Sequence, residues 1–161
     1  MRLAGLVLLS RAVTRAEALL GAGELEAAEA LFRDAVAQDP EDLLAAKGLA
    51  QALDRMRRFD EAFDAWETTL RIAPDDVICQ YALGDAWQRR GDVERSRKIF
   101  ERIRDAHPNF YPAYAMTLLS MLYSDKASAV EIKSEQQRWG RFHTPSPESV
   151  FDCYKGSAEP E

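Results

Sequence analysis

The chain has 161 residues, 47% hydrophobic and 30% charged, which suits one soluble unit with its own core and leaves little room for a second domain. Its formal net charge of −6 argues against a nucleic-acid-binding role, because affinity for phosphate backbones needs clustered basic residues. Cys79 and Cys153 form no CxxC pair and neither histidine lies at ligand spacing from them, so we expect unpaired thiols in a reducing cytoplasm and no metal site.

Residues 1–8 form an apolar N-terminal extension, in which a run from Leu3 to Leu9 follows a basic residue. The run is far too short to cross a bilayer, so we expect no membrane span. It lies at the lower limit of the signal-peptide range and has no clear small-residue cleavage site. The alternative is that it opens the first helix or continues a longer one.

A 34-residue period organises the next part of the chain. Pro40, Pro74 and Pro108 recur at this interval, and each follows a segment with helical periodicity. Proline stops helix propagation there, and a period of this length is typical of stacked helix pairs. The predicted helices are 9–22, 25–38, 43–56, 59–72, 77–90 and 93–106.

Small and large residues also recur in columns. In each first helix the small residue is followed three positions later by a large apolar one, giving the columns Ala16, Ala50, Gly84 and Leu19, Leu53, Trp87. In each second helix a small residue precedes an aromatic by four positions, giving Ala28, Ala62, Ser96 and Phe32, Trp66, Phe100. These spacings keep one helical face apolar and place a small residue where two backbones approach.

The turns between paired helices also share one position. Gly23 and Gly91 can adopt the left-handed conformation that ends a helix, and Arg57 holds the matching place in the middle unit. A residue with a side chain adopts that conformation at a small cost, so we expect slight strain at Arg57.

Together these columns resemble tetratricopeptide repeats over residues 9–110. The resemblance implies an all-α, right-handed solenoid with three units, 9–42, 43–76 and 77–110. The first unit departs most, because Arg15 stands in a leucine column. We interpret this unit as a polar terminal cap or as a repeat that packed against others upstream.

A partial fourth repeat and a capping helix are predicted over residues 111–142. The sequence "YPAYAMTLLSMLYSD" reads as a first helix, but the usual second half does not follow. Instead Ser128 and Glu131 form a capping-box pattern that starts a helix, which we expect to cover the end of the stack. The segment 143–161 has prolines and serines without helical period and is interpreted as an irregular, linker-like tail.

The segments "SMLYSD", "SAVEI" and "RWG" resemble the junction between repeats and catalytic domain in bacterial relatives of protein O-linked N-acetylglucosamine transferases and SPINDLY-like enzymes. Leu122, Tyr123, Ser124 and Asp125 stand for that family's corner, and Gln136 stands where histidine is expected. The resemblance implies that the catalytic domain lies beyond Glu161. The sequence has no GxGxxG, GxSxG or HExxH motif, so we expect this chain to be no enzyme and to hold no cofactor.

In tetratricopeptide repeats the first helices line a concave groove that holds peptides. Carrying the groove positions over gives the candidate site: Glu17, Leu20, Lys47, Gln51, Asp54, Tyr81, Asp85 and Gln88. Glu17, Gln51 and Asp85 share one column and suit hydrogen bonding to an extended peptide, with Tyr81 and Leu20 as apolar anchors. The neighbouring column is Thr14, Gly48 and Ala82. Only Lys47 fits the lysine and asparagine clamp of the chaperone-binding subclass.

Charge in and around this groove suggests its preferences. The acidic column favours a basic or neutral peptide, although the same positions also suit ordinary solvated helix surface. Between Arg89 and Arg104 seven basic residues stand against three acidic ones, which we interpret as an outward, solvated face or a docking face for an acidic neighbour.

Three functions therefore remain open. The first is a polypeptide-binding module that recognises acceptors for a protein O-glycosyltransferase. The others are a free-standing adaptor and a self-assembling scaffold, in which the apolar run from Leu3 to Leu9 packs against a partner chain.

Overall fold

A computed structural model describes residues 2–143, with side chains described for residues 9–141. Over that range the chain forms eight helices: α1 (Arg2–Ala22), α2 (Leu25–Gln38), α3 (Leu43–Arg55), α4 (Phe59–Ile72), α5 (Val77–Arg89), α6 (Val93–Ala106), α7 (Tyr111–Tyr123) and α8 (Ala129–His143). Each helix packs against the next in sequence. The predicted all-α solenoid of helix pairs is confirmed.

The helix boundaries follow the sequence closely. Helices α2, α4 and α6 have the predicted bounds, while α3 and α5 end one residue early because Met56 and Arg90 act as C-caps. Helix α1 begins at Arg2, so residues 2–8 extend the first helix, which is the alternative stated above for this segment. Within residues 2–143, no helix is both long and apolar enough to cross a bilayer.

Acidic and hydroxyl side chains start several helices. The Asp42 carboxylate accepts hydrogen bonds from the backbone N–H groups of Leu44 and Ala45. At α8 the Ser128 N–H donates to Glu131 at 2.8 Å, and the Glu131 N–H donates to the Ser128 hydroxyl oxygen at 3.2 Å. This reciprocal pair satisfies N–H groups that have no intrahelical partner, and it confirms the predicted capping box.

The three matching turns adopt the predicted left-handed backbone. Gly23 has φ 88°, Gly91 has φ 83° and Arg57 has φ 61°. Among residues 2–143, Arg57 is the one non-glycine residue with positive φ. The middle unit therefore carries the local strain that the sequence indicated.

Packing between units makes the first helices the inner layer of the stack. Helix α1 contacts α3 and α5 contacts α7, whereas α3 and α5, like every pair of second helices among the described residues, make no interface of similar extent. Helices that approach each other directly lie at the smaller radius of a curved array. The exposed sides of α1, α3, α5 and α7 thus form one surface, which we call the concave surface.

The small-residue columns mark the closest helix approaches. Ala16, Ala28, Ala50 and Ala62 are fully buried, and the ring of Phe100 lies against Gly84. Gly48 is packed more tightly still, since a Cβ built there would lie 2.3 Å from the Phe32 ring. Gly48 therefore lies against α2, which covers it.

We expect Gly48→Ala to lower the free energy of unfolding by about 1–3 kcal/mol, because the buried Phe32 ring has little room to move. The matched control is Gly21→Ala near the end of α1, where a Cβ meets nothing within 4 Å. That change should be neutral or stabilise by up to about 1 kcal/mol. Urea unfolding followed by circular dichroism at 222 nm measures both, and equal effects would contradict the packing argument.

Helix α8 packs against α7 as a fourth helix pair, and it begins where the predicted capping helix was expected. Trp139 meets Tyr114 of α7 edge to face, with ring centroids 6.3 Å apart. Most other side chains of α8 are exposed and polar, as a helix that covers the end of a solenoid requires. The predicted tail lies outside the described residues except for His143.

An ion pair joins α8 to α6. The Arg104 guanidinium contacts the Glu135 carboxylate at 2.8 Å, and Arg104 and Glu135 are only 7% and 8% exposed. Arg104 Nε also donates to Asp105 at 2.9 Å, and Asp105 is bound by Arg138. The expected outward, solvated basic face was therefore wrong for Arg104, because α8 packs over the C-terminal end of α6.

Candidate functional site

The concave surface brings most of the predicted groove residues together on α1, α3 and α5. Glu17 is exposed, while the other polar members are half-buried. Their hydrogen bonds divide them into two groups. Glu17 and Gln51 have no recorded side-chain partner among the described residues, and the remaining polar members are held by other parts of the chain.

Leu20 is not the apolar anchor that the groove column suggested. It is 8% exposed and belongs to a core cluster that includes Val13, Ala16 and Phe32. Leu20 turns towards the core, where it leaves water, whereas the polar Asp54 in the same column stays half-exposed. This part of the predicted site was wrong.

Asp54 and Asp85 are bridged by one guanidinium group. Arg89 contacts Asp54 and Asp85 at 2.8 Å each, and Asp54 also accepts the indole N–H of Trp66 at 2.8 Å. Burial raises the pKa of Asp85, with Asp54 adding to the rise and Arg89 opposing it. Burial, with Asp85 adding to it, also raises the pKa of Tyr81. This cluster joins the second and third units, so two of the predicted peptide ligands already have partners.

Lys47 also has an internal partner. Its ammonium group donates to Asp76 at 2.7 Å, which connects α3 to the N-terminus of α5. Lys47, the one residue that fits the lysine and asparagine clamp of the chaperone-binding subclass, therefore already forms an ion pair within the chain. Burial alone would raise the pKa of Asp76, but hydrogen bonds from Lys47 and the Cys79 N–H outweigh it, so this pKa lies below its ordinary value of 3.8.

We expect the Asp76 contribution to stability to be lost in acid. A carboxylate with a lowered pKa in the folded state stabilises the fold above the unfolded pKa, and this contribution disappears as pH falls through the folded pKa. Asp76→Asn should thus lower the free energy of unfolding at pH 7. The difference in free energy of unfolding between this variant and the unmodified protein should become smaller as the pH approaches 2. Urea unfolding across that range measures the difference. A pH-independent difference would mean that the carboxylate charge has no part in it.

Gln88 links three helices from within. Its side-chain oxygen accepts hydrogen bonds from the hydroxyls of Ser96 on α6 and Ser120 on α7, at 3.4 and 3.2 Å. Both serines are fully buried. The Ser120 hydroxyl also lies 2.8 Å from the backbone carbonyl oxygen of Met116, so its one proton is shared between two acceptors. The Gln88 oxygen therefore faces buried hydroxyls within the chain.

The concave surface also carries exposed apolar residues beyond the eight residues of the candidate site. Leu44 and Ile78 are exposed and occupy one column, 34 residues apart. On α7, Leu119 is 38% and Leu122 is 60% exposed, and they continue the columns of Asp85 and Gln88. Extending the repeat columns by one unit would have found the two leucines.

A pocket of about 300 Å³ lies between α1 and the start of α3. Its lining consists of Leu9, Ser10, Val13, Thr14, Glu17, Asp39, Asp42 and Leu44. Three of these side chains are carboxylates and none is basic, while the leucines and Val13 give the pocket an apolar part. This composition suits a cationic group carried on an aliphatic stem.

Two kinds of reactive site can be assessed on the described residues, a metal-ligand cluster and a reactive thiol. No group of three or more His, Cys, Asp or Glu side chains within it is placed to hold a metal ion. Cys79 is fully buried, and burial together with a hydrogen bond to Asp76 raises its thiol pKa to about 12. A thiol with so high a pKa is a poor nucleophile at neutral pH.

The fold and its inner surface define an α-helical repeat protein of the helix-pair type. The tetratricopeptide repeat model matches residues 13–77 and 48–109, which together span more than half of the chain. The chain belongs to the tetratricopeptide repeat family and is a protein–protein interaction module. No curated protein matches it in sequence.

Several solved structures share this fold at low sequence identity. An O-GlcNAc transferase from Thermobaculum terrenum superposes with a TM-score of 0.71 at 16% identity, over 83% of this chain and 26% of that chain. MamA from Desulfovibrio magneticus RS-1 gives 0.71 at 15% identity, over 92% and 78%. The Yersinia enterocolitica type III secretion chaperone SycD, in complex with a peptide of the translocator YopD, gives 0.66 at 14% identity, over 71% and 93%. This chain spans about a quarter of the transferase chain.

Proposed function

We propose that the concave surface binds an extended polypeptide. The observation that carries this proposal is that the surface combines available polar side chains with exposed apolar ones. Among the described residues, the side chains of Glu17 and Gln51 form no hydrogen bond or ion pair, and they share the surface with exposed Leu44 and Ile78. Polar groups at a regular rise can pair with a peptide backbone, and nearby apolar positions supply affinity. The SycD structure, which holds a peptide, supports this use of the fold.

A peptide array tests the proposal with the whole chain. Overlapping peptides from the surface and flagellar proteins of the source organism are probed with the unmodified protein and with Glu17→Ala/Gln51→Ala. The matched control is Glu26→Ala/Gln137→Ala, which removes the same residue types from exposed positions on α2 and α8. Saturable binding that the first variant weakens and the control retains would support the proposal. No binding, together with concentration-dependent dimers in light scattering, would favour a self-assembling scaffold instead.

We further propose that this chain is the acceptor-recognition region of a protein O-glycosyltransferase and performs no transfer itself. The tail motifs support this, as does the likeness to the O-GlcNAc transferase. That superposition covers 83% of the chain, more than the three units of residues 9–110 can supply. MamA superposes over even more of the chain, which keeps a free-standing adaptor as the alternative.

The genomic sequence after the codon for Glu161 tests the transferase proposal. An open reading frame that continues into alternating strand and helix patterns would support it. A stop codon at that position would contradict it and favour the free-standing adaptor.

A further inference from the structure

We propose that the concave surface binds a peptide with two recognition elements. A lysine or arginine at one end of the peptide binds between α1 and α3, and a pair of large apolar residues at the other end binds on α7. This inference rests on the proposed function and names the chemistry of the peptide. The inference is based on the exposed side chains of the surface, which change from carboxylates near α1 to leucines on α7.

The α7 end is apolar because the repeat columns change residue type there. The column that holds Glu17, Gln51 and Asp85 continues with Leu119, and the next column continues with Leu122. Both leucines are exposed, as is Tyr123. Exposed large apolar side chains on neighbouring turns of one helix mark a surface that gains free energy when a partner covers it.

The α1 end has carboxylates that lack a basic partner. The pocket between α1 and α3 contains Glu17, Asp39 and Asp42, and none of its lining residues is basic. Farther along the surface Arg89 bridges Asp54 and Asp85 and offsets one of their two negative charges. Asp42 and Asp39 accept hydrogen bonds from backbone N–H groups, but none of the three carboxylates is paired with a basic side chain among the described residues. A cationic side chain can therefore pair with Glu17 at the α1 end, where Leu9 and Leu44 can also contact its aliphatic stem.

The distance between the two ends sets the spacing in the peptide. Adjacent first helices in such a stack lie about 9–10 Å apart, so three steps from α1 to α7 span about 30 Å. An extended chain covers about 3.3 Å per residue, so the basic residue and the apolar pair should be separated by about nine residues.

Charge complementarity favours a separate basic polypeptide, and not the chain's own tail, as the occupant of the concave surface. Residues 144–161 contain the apolar pair Val150 and Phe151, but they carry four acidic residues against the single basic Lys155. An acidic segment is repelled by the carboxylates near α1. A second copy of this chain, with its formal charge of −6, is disfavoured for the same reason.

Fluorescence anisotropy with four labelled peptides tests the inference. The probe has a lysine and a Leu-Phe pair separated by about nine glycine and serine residues. One comparison peptide replaces lysine by glutamate, a second replaces Leu-Phe by Ser-Ser, and a third brings the lysine next to Leu-Phe. The proteins are the unmodified chain, Leu119→Ser/Leu122→Ser, Glu17→Lys, and the control Val130→Ser, which changes a 79% exposed apolar residue on α8.

We expect the probe to bind the unmodified chain at least about tenfold more tightly than each comparison peptide. Leu119→Ser/Leu122→Ser should lose about tenfold in affinity for the probe and stop discriminating against the Ser-Ser peptide. Glu17→Lys should lose the preference for lysine over glutamate, and Val130→Ser should change nothing.

Other outcomes overturn the inference. If array peptides bind but the probe does not, the proposed function stands and the inference about the two recognition elements fails. The same conclusion follows if Leu119→Ser/Leu122→Ser and Val130→Ser have equal affinity for the probe. If removal of residues 144–161 strengthens probe binding about tenfold, the tail is the occupant and the inference is wrong. If neither the array nor the probe shows binding, the proposed function fails as well.

Discussion

Glu135→Ala should lower the free energy of unfolding by about 3 kcal/mol, which is a large part of the stability of a domain of this size. Glu135 and Arg104 are both more than 90% buried and pair at 2.8 Å. Removing the carboxylate leaves a buried guanidinium whose nearest remaining acid is Asp105. The Asp105 contact compensates only part of this buried charge. A buried charge that has lost one of its two acidic partners costs several kcal/mol, because the lost contact is not replaced by hydration.

Two further variants separate charge from packing in this experiment. Glu26→Ala removes an exposed glutamate from α2 and should change stability by less than about 0.5 kcal/mol. Arg104→Met/Glu135→Leu replaces the ion pair by apolar groups and should recover most of the loss. Urea unfolding at pH 7 gives all three values. A Glu135→Ala protein as stable as the Glu26→Ala protein would show that the pair does not hold α8 in place.

Phe32→Ala should cost about 3–5 kcal/mol, because a fully buried aromatic ring is removed from the contact between α2 and α3. The comparison variant Phe59→Ala changes a ring that is 37% exposed, so it should cost clearly less. Thermal and urea unfolding measure both. Equal losses would mean that burial in this column does not determine stability.

We also expect the stability effects of substitutions at Phe32 and Gly48 to depend on each other. The ring of Phe32 occupies the space that an added Cβ at Gly48 would enter. Once the ring is gone, Gly48→Ala should no longer destabilise the protein. A double-mutant cycle over the two positions gives the coupling free energy, and additive effects would argue against their contact.

Internal pairing narrows the part of the groove that a peptide can use. Lys47 and Asp76 form one ion pair, and Arg89 holds Asp54 and Asp85 in another cluster. These contacts join α3 to α5 across the junction of the second and third units. A peptide that used these groups would have to break interactions that hold the junction, so the unpaired Glu17 and the exposed leucines of α7 are the better candidates for contact.

Local features of this protein were determined by the sequence alone. The proline period, the small and aromatic columns and the glycine turns predicted six helices with at most one residue of error beyond α1. Even Arg57 adopts the positive φ that its place between Gly23 and Gly91 required. Such features depend on residues a few positions apart, and the chain's own backbone geometry limits them to a few outcomes.

The tertiary structure decided which polar residues are free to act. Arg104 and Asp85 read as surface charges in the sequence, but α8 buries one and Arg89 binds the other. Leu20 shares a column with Asp54 and yet lies in the core. Glu135, the partner of Arg104, lies on a helix outside the repeat pattern, and Arg89 joins Asp85 to Asp54, which is 35 positions from Arg89. Only the Asp85–Arg89 contact has a local spacing, so the sequence pattern does not reveal the other two. A side chain's charge is a property of its residue, but its availability depends on which distant residue the fold brings beside it.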